Sequence, residues 1–343
     1  MAVYTVLDAK VISSILKEYD VGEVVRFEPI SSGIENTNYF IWTKCSDRSS
    51  SQWVLTIFEN IPECALPFYN DLTLHLQQKG LAVPAPQRMK SGELVFSIPR
   101  LNQIAKKFGV LVPKFEGKAE DTPSISLCQK VGRFTANMHI ASSDFGGVKE
   151  IQHSYTWCQQ IISELAGLIP QDDLSLLNLA LERYQAYQAL VERCPSGIVH
   201  GDLFRDNVLF DQGEISGVID FYNAGKTAYL FDLAVIANDW AVNLEHLPSL
   251  FDKSQNEMIC LERDVYDEQK LDALLSSYQV IRPFSQVEKD AWPSLLELAA
   301  FRFYLSRLKT KYVEGYQQSA KAGETIKSPD VMKVIMLAAM KRQ

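Results

Sequence analysis

The sequence lacks the cysteine and histidine patterns that build zinc sites or disulfide frameworks. Its six cysteines are scattered without any Cys-x-x-Cys pair, and its five histidines show no close metal-ligand spacing. Two common phosphate-binding motifs are also missing. No Gly-x-Gly-x-x-Gly occurs, and Gly225-Lys226-Thr227 has Asp220 where a P-loop requires glycine. We therefore expect reduced thiols in a cytoplasmic protein, without a structural zinc ion.

Long apolar runs and an excess of positive charge are absent as well. No apolar run reaches the roughly 20 residues that span a bilayer, and the N-terminus shows no basic segment followed by an apolar core. A formal net charge of -8 argues against a nucleic-acid or anionic membrane partner. With 343 residues, 47% hydrophobic and 22% charged, the composition is that of a soluble enzyme whose oligomeric state the sequence does not predict.

The hydrophobic pattern changes along the chain. In the first third, strands are predicted at Val24–Ile30, Tyr39–Thr43, Trp53–Phe58, Leu94–Ile98 and Gly109–Val112. The polar run Lys114–Thr122 suits a linker, and the pattern after it is mostly helical. Short strands are expected there around Ile198-Val199, Val208–Phe210 and Gly217–Ile219. These features predict a small mixed domain, residues 1–113, and a larger helical domain, residues 114–343.

The segment from His200 to Asn207 carries the clearest chemistry. It places Asp202 and Asn207 five positions apart between apolar strands, and Asp220 ends the next strand. An aspartate can accept the proton of an attacking hydroxyl, while an amide oxygen and a second carboxylate suit Mg²⁺, which prefers oxygen ligands. Phosphoryl transfer needs mainly positioning and charge neutralisation. The spacing therefore predicts a phosphotransfer site.

A second polar segment, Ser31–Asn38, lies between two predicted strands and is a candidate phosphate-binding turn. Its small and polar residues would let backbone N–H groups and hydroxyls approach a triphosphate. An ordinary hairpin loop has the same composition, so this segment alone does not separate the two interpretations.

Several segments together resemble a known family. They are Gly33-Ile34-Glu35-Asn36-Thr37-Asn38-Tyr39-Phe40, Val54-Leu55-Thr56-Ile57-Phe58-Glu59, the run from His200 to Phe210, Asp220-Phe221-Tyr222, Asp232-Leu233-Ala234, Asn238-Asp239-Trp240 and the run from Arg302 to Leu308. This set resembles the protein-kinase-like small-molecule kinases, a group that includes choline kinases and aminoglycoside phosphotransferases. The turn before Tyr39 and the segment after Arg302 make it most similar to the homoserine kinases of that group.

The resemblance implies an α+β, bilobal protein-kinase-like fold, with a small N-terminal antiparallel-sheet lobe that binds nucleotide and a larger, mainly helical C-terminal lobe. It implies transfer of the γ-phosphate of ATP to the hydroxyl of L-homoserine. Asp202 would be the base, and Asn207 and Asp220 would hold Mg²⁺. His200 and Asp232 would support the loop. The implied nucleotide contacts are Ser32, Gly33, Asn36, Thr37, Asn38 and Val112.

The chain departs from the protein-kinase pattern on the strand Trp53–Glu59. A kinase places there a lysine that neutralises the α- and β-phosphates, whereas the matching position holds Thr56. The homoserine kinase branch shares this feature, so it does not indicate lost activity. Lys106, Lys107 and Arg205 are alternative cations for the phosphates, although each also fits the pattern of a solvated surface residue.

L-homoserine is a zwitterion, so its pocket needs an anion for the ammonium and a cation for the carboxylate. Arg302 and Arg307 are candidates for the carboxylate because a guanidinium can bond both of its oxygens. Asp239 is a candidate for the ammonium. Structural ion pairs are the alternative for all three. The acidic segment Pro248–Gln269 is predicted to be an exposed loop or a lid near the substrate.

Two other functions stay open from the sequence. One is a sister kinase acting on choline, ethanolamine, methylthioribose or an aminoglycoside, because the base and metal residues would be the same. The other is a catalytically dead nucleotide-binding module. The presence of Asp202, Asn207 and Asp220 speaks against that second alternative.

Overall fold

The computed structural model of the chain describes residues 5–30, 36–47, 49–98, 106–151, 154–243, 265–314 and 328–342. These residues form two compact units. The first unit holds the described residues up to Glu116 together with Ser216–Ile219, and the second holds the others from Gly117 onward. The division falls near the domain boundary that the sequence predicts after residue 113. Within the described ranges, no helix is both long and apolar enough to cross a bilayer.

The first unit is built on a five-stranded antiparallel sheet. Its strands are β1 (Glu23–Ile30), β2 (Asn36–Lys44), β3 (Ser50–Phe58), β4 (Phe96–Ile98) and β5 (Lys107–Pro113), in the spatial order β1-β2-β3-β5-β4. The start of β2 lies beside the end of β3, because Asn36 pairs with Phe58. Phe58 in turn pairs with Phe108 at the start of β5. This end of the sheet therefore brings together residues from three strands.

Every second side chain in the middle of β2 and near the end of β3 contributes to the core of this unit. Tyr39 and Ile41 on β2, and Leu55 and Ile57 on β3, are buried on one face of the sheet because successive side chains of a strand point to opposite faces. Helix α1 (Ala9–Lys17) belongs to the same core. Helix α2 (Leu66–Gln78) follows β3.

The second unit is mainly helical. The α-helices among its described residues are α3 (Ile125–Ala141), α4 (Tyr155–Leu165), α5 (Gln171–Glu192), α6 (Leu230–Trp240), α7 (Glu268–Gln279), α8 (Gln286–Leu308) and α9 (Pro329–Met340). Every residue of α6 is buried, including its two aspartates. A helix that is buried all round belongs to the centre of its unit, and α6 packs there against α8, α7 and α3.

Short strands connect α5 to α6. They are β6 (Ser196–Val199), β7 (Val208–Asp211), β8 (Glu214–Val218) and β9 (Gly225–Ala228), paired as β6 with β9 and β7 with β8. The sequence predicts β6 and β7 nearly in place and puts β8 too far along the chain. It misses β9, because Gly-Lys-Thr-Ala carries little strand propensity and becomes a strand only by pairing with β6.

Candidate active site

The pairing of β6 with β9 assembles the first part of the site. Val199 pairs with Gly225, so the segment that begins at His200 and the segment that ends at Ala224 leave the same end of this small sheet. They are in close contact, because a Cβ atom on Gly201 would lie 2.7 Å from the carbonyl oxygen of Asn223. Gly201 also has φ +79°, a conformation that suits glycine. The glycine before Asp202 is therefore required by the turn.

Asn207 is joined to Asp202 by hydrogen bonds. Its side-chain Nδ2 donates to the backbone carbonyl of Asp202 at 2.7 Å and to the carboxylate Oδ2 of Asp202 at 3.3 Å. Since the amide nitrogen is used in this way, the amide oxygen Oδ1 is the atom that can meet a cation. The predicted base and one predicted metal ligand thus lie next to each other.

Asp220 has a strained backbone, with φ 65° and ψ 60°. A non-glycine residue in this left-handed region costs about 1–3 kcal/mol, and such residues cluster at functional sites. Strands β7 and β8 are joined by Gln212-Gly213, a turn so short that they run antiparallel. Asn207 directly precedes β7 and Asp220 follows β8, so both lie at one end of this hairpin.

The donors at this end suit Mg²⁺. An amide oxygen and a carboxylate are hard oxygen ligands, and Mg²⁺ commonly binds through one or two such groups, with water and phosphate oxygens completing its shell. Among the residues that the structure describes, no group of three or more His, Cys, Asp or Glu side chains could hold a metal by itself. That Asn207 and Asp220 hold Mg²⁺ stays a prediction.

Asp232 on α6 holds the backbone before Asp202. Its side chain is 0% exposed, and its two oxygens accept hydrogen bonds from the backbone N–H groups of His200 and Gly201, both at 2.7 Å. Burial would raise the pKa of this carboxyl, but hydrogen bonds from His139 and Gly201 outweigh it and lower the pKa. Asp232 is therefore a buried anion with the supporting role that the sequence favours.

Arg302 on α8 is a buried cation near Asp202. Only 3% of its surface is exposed, and its Nε and Nη1 atoms meet no hydrogen-bond partner in the described part of the chain. The guanidinium lies 4.8 Å from the ring centre of Phe231 and 5.3 Å from that of Phe303. Burial lowers the pKa of Arg302 to about 10, while the negative charge of Asp202 opposes that shift. The guanidinium stays charged at neutral pH.

Arg307 lies in the last turn of α8 and is partly buried. Burial lowers its pKa to about 10, opposed by the negative charges of Asp239 and Asp202. Its Nη1 donates to the backbone carbonyl of Ser328 at 3.5 Å. The two predicted arginines, five positions apart on one helix, therefore both lie within electrostatic reach of the predicted base.

Asp239 is engaged with Arg205. Its Oδ2 accepts from the backbone N–H of Arg205 at 2.8 Å, and its Oδ1 accepts from the Arg205 side chain at 3.2 Å. Arg205 also donates to the backbone carbonyl of Asp121 at 2.6 Å. This is the structural ion pair that the sequence leaves open as an alternative. A contact of Asp239 with a substrate ammonium stays a prediction, as does a contact of Arg205 with phosphate.

In the first unit, the predicted nucleotide contacts Ser32 and Gly33 lie outside the described residues. Thr37 is buried, and its hydroxyl donates to Glu59 Oε1 at 2.7 Å. Asn36 Oδ1 accepts from the backbone N–H of Glu59 at 3.4 Å. Glu59 is also paired with Lys107 at 2.8 Å. These side chains form a polar cluster, Asn36, Thr37, Glu59 and Lys107, at the end of the sheet where β2 begins.

The Glu59 carboxyl group of this polar cluster is held in its charged form. Burial would raise the pKa of Glu59, but the hydrogen bonds of Lys107 and Thr37 outweigh burial and lower it. Lys107 also donates to the backbone carbonyl of Glu59 at 3.1 Å. The sequence allowed for a solvated Lys107, and the structure places its side chain in this ion pair, 21% exposed.

Thr56 takes the place of the kinase lysine and belongs to the sheet. Its hydroxyl donates to Asn38 Oδ1 at 2.8 Å, and the two residues are cross-strand partners. Val112 on β5 is buried and pairs with Val54. The predicted nucleotide contacts through Asn36, Asn38, Thr37 and Val112 stay predictions.

Residues 26–274 match the model of the phosphotransferase enzyme family. This match covers well over half of the 343 residues. The chain belongs to this phosphotransferase family. It is an ATP-dependent phosphotransferase that acts on a hydroxyl group, the enzyme class that the sequence predicts. ATP and Mg²⁺, also predicted, are the nucleotide and metal of this enzyme class.

Relatives of this phosphotransferase include a homoserine kinase of Burkholderia mallei (strain SAVP1). The two are 35% identical over 318 residues, which are 90% of this chain and 88% of the relative. Among solved structures, an amicoumacin kinase in complex with AMP-PNP and Ca²⁺ is similar, with a TM-score of 0.66 at 18% identity over 96% of this chain and 93% of that one. A microcompartment-associated aminopropanol kinase has a TM-score of 0.61 at 17% identity, over 97% and 94%.

These structural likenesses confirm the predicted protein-kinase-like fold of the phosphotransferase, with an antiparallel N-terminal sheet and a mainly helical C-terminal part. The predicted loop or lid Pro248–Gln269 lies largely outside the described residues, which resume at Val265.

Sequence reasoning missed His139, which contacts Asp232 at 3.1 Å. A single histidine in a helix carries no motif, so the sequence held no signal for it.

Proposed function

We propose that this phosphotransferase is a homoserine kinase, which transfers the γ-phosphate of ATP to L-homoserine and yields O-phospho-L-homoserine, an intermediate of threonine biosynthesis. The similarity to a homoserine kinase over 90% of the chain supports this substrate. The observation that carries the proposal is Arg302, a buried guanidinium whose charge interacts with Asp202.

A buried donor without a partner is expensive. The desolvation penalty is about 1–3 kcal/mol for a neutral group and larger for a charged one. Arg302 has two such donors, Nε and Nη1, when all described residues are considered as partners. A substrate carboxylate would satisfy them, because its two oxygens match the planar fork of a guanidinium. An uncharged alcohol or a choline-like cation would leave this cost in place.

The shape of L-homoserine suits these two groups. Its hydroxyl and its carboxylate are at opposite ends of a short chain, so one end can meet Asp202 while the other meets Arg302. Asp202 accepts the proton of the hydroxyl as the hydroxyl oxygen forms a bond to the γ-phosphorus. The bond from that phosphorus to the β–γ bridging oxygen breaks, and ADP leaves. Mg²⁺ held by Asn207 and Asp220 would neutralise charge on the phosphate oxygens.

A matched pair of acceptors tests the proposal. L-homoserine and 3-amino-1-propanol share the hydroxyl, the chain and the ammonium, and only homoserine has a carboxylate. With ATP and Mg²⁺, we expect kcat/KM for L-homoserine to exceed that for 3-amino-1-propanol by about 100-fold or more, the value of a charge-assisted bidentate contact. Choline, ethanolamine, methylthioribose and an aminoglycoside complete the panel. Equal or greater kcat/KM with any of these acceptors would contradict the proposal and favour a sister kinase.

A further inference from the structure

His139 lies beside the anchoring carboxylate of Asp232 and outside the groups that phosphotransfer itself needs. It belongs to the last turn of α3 and is 1% exposed. Its Nε2 atom is 3.1 Å from Asp232 Oδ2, and its Nδ1 atom is 2.8 Å from the hydroxyl oxygen of Tyr278 on α7. A buried polar side chain with a partner for both ring nitrogens suggests a defined role.

The partners of His139 determine its protonation state. Asp232 is an anion and can only accept, so the Nε2 atom of His139 must carry the hydrogen. Burial lowers the pKa of His139, so the ring is neutral and its Nδ1 atom accepts from the Tyr278 hydroxyl. Burial also raises the pKa of Tyr278, which keeps that hydroxyl protonated. All hydrogens in this chain of contacts therefore point toward Asp232.

Aromatic and charged groups hold the His139 ring in place. The ring centres of Tyr229 and His139 are 4.6 Å apart. The guanidinium of Arg282 in turn lies 4.5 Å from the centre of the Tyr229 ring. Arg282 is also paired with Glu288 at 2.7 Å. The orientation of the imidazole, and with it the direction of its Nε2–H bond, is thereby restricted.

We propose that His139 is a positioning residue for phosphotransfer, acting through Asp232 on the backbone that carries Asp202. Asp232 Oδ2 accepts from both His139 and the backbone N–H of His200, while Oδ1 accepts from Gly201. Without the hydrogen bond from His139, the Asp232 carboxylate can rotate. The backbone of His200 and Gly201, which is bonded to that carboxylate, then moves with it. This inference rests on the proposed role of Asp202 as the base, and it does not depend on which alcohol is the acceptor.

Three variants distinguish a role of His139 in positioning Asp202 from a role in the stability of the fold. His139→Leu removes both ring nitrogens at similar volume. His139→Gln restores one donor where Nε2 stands. Thr135→Val is the matched control, because Thr135 is a fully buried residue of α3, one turn earlier, whose hydroxyl bonds only the Val131 carbonyl within the described contacts. For each variant, kcat is expressed per nucleotide-binding site, so that unfolded protein does not count. The acceptor is whichever alcohol the panel identifies, so failure of the homoserine assignment leaves this test intact.

For His139→Leu, we expect kcat to fall by about 10- to 100-fold, the scale of a displacement near 1 Å at a reacting group. KM for ATP and for the alcohol should change less than about twofold, since neither substrate contacts this residue in the proposal. His139→Gln should recover most of the lost kcat, and Thr135→Val should keep it. Unchanged kcat per site in His139→Leu, or no recovery in His139→Gln, would overturn the proposal.

Tyr278→Phe keeps the test decisive if His139→Leu does not fold. This variant retains the ring and removes the donor to His139 Nδ1. We expect kcat per site to fall by about two- to fivefold at unchanged KM, because the imidazole loses one of its two restraints. A kcat equal to that of the unaltered protein would overturn the proposal by itself.

Discussion

One polar cluster of the first unit and one arginine of the second differ in how their hydrogen bonds are satisfied. In the first unit, Thr37, Glu59 and Lys107 bond to one another at the end of the sheet. In the second unit, Arg302 is only 3% exposed, and its Nε and Nη1 atoms find no acceptor on any residue within the described ranges. Mutual satisfaction is typical of a scaffold, whereas an unsatisfied buried charge indicates a place for a ligand of opposite charge.

This contrast separates two kinds of polar residue. Polar groups that satisfy each other should mainly affect the free energy of unfolding when changed. Groups whose bonds are completed by substrate should mainly affect the kinetics. The following four predictions, from the largest expected effect to the smallest, test that distinction.

The largest effect should follow Asp202→Asn. This change keeps the size of the side chain and removes its ability to accept a proton, so kcat should fall by about 100- to 10,000-fold, the range of general base catalysis. Nucleotide affinity, measured by calorimetry, should change little. Near-normal kcat would remove Asp202 from the base role.

Arg302→Met should change KM for L-homoserine strongly without lowering the free energy of unfolding. Methionine fills similar space without charge, so KM for L-homoserine should rise by about 100-fold, while KM for ATP stays within about twofold. The free energy of unfolding without substrate should stay level or rise by about 1 kcal/mol, because a buried charge has been removed. Enzyme kinetics and denaturant titration measure both quantities.

Arg183→Met is the matched control for Arg302→Met. Arg183 makes two bonds of 2.7 Å to Glu297, so it is an arginine that the protein itself satisfies. Its loss should lower stability and leave KM for L-homoserine unchanged. If Arg183→Met and Arg302→Met affect KM and stability alike, the distinction between satisfied and unsatisfied arginines does not hold.

Lys107→Met tests the satisfied polar cluster of the first unit. Because the Glu59 carboxylate is buried and would lose its charged partner, the free energy of unfolding should fall by about 1–3 kcal/mol. KM for ATP in the folded protein should change less than about twofold. A large rise in KM for ATP with unchanged stability would instead make Lys107 the cation that replaces the missing strand lysine.

The smallest effect concerns the pH dependence of the same cluster. The folded-state pKa of Glu59 is lowered, so its contribution to stability is fully present above the ordinary glutamate pKa and is lost as pH falls through the lowered value. The stability difference between the unaltered protein and Glu59→Gln should therefore be largest near neutral pH and shrink in acid. Denaturant titrations over a pH series measure it, and a difference that grows in acid would contradict the prediction.

The predictable part of the site follows from local spacing. Asp202, Asn207 and Asp220 are visible in the sequence because they flank short apolar strands at fixed intervals. The bond between Asn207 and Asp202 spans only five residues, so a local turn is sufficient to form it. Strands β2 and β3 were predictable for a similar reason, since each contains a short run of aromatic and β-branched residues next to a polar loop.

The rest depended on residues far apart in the chain. Asp239 and Arg205 are 34 positions apart in the sequence, and His139 and Asp232 are 93 apart, so no local sequence pattern predicts either contact. The strand β9 likewise exists only because β6 lies beside it. Hydrogen bonds that close such long loops are decided by the packing of whole helices.

By itself, the sequence determined the reaction class and the fold class, and it predicted a base and two metal-binding side chains, because short motifs carry this information. Only the tertiary structure decided which charged side chains are satisfied. It buried Arg302 within electrostatic reach of Asp202, paired Asp239 with Arg205 and placed His139 in contact with Asp232. The physical reason is that desolvation and hydrogen-bond partners are properties of the packed interior, and one residue type can be solvated, paired or poised for a ligand depending on what folds around it.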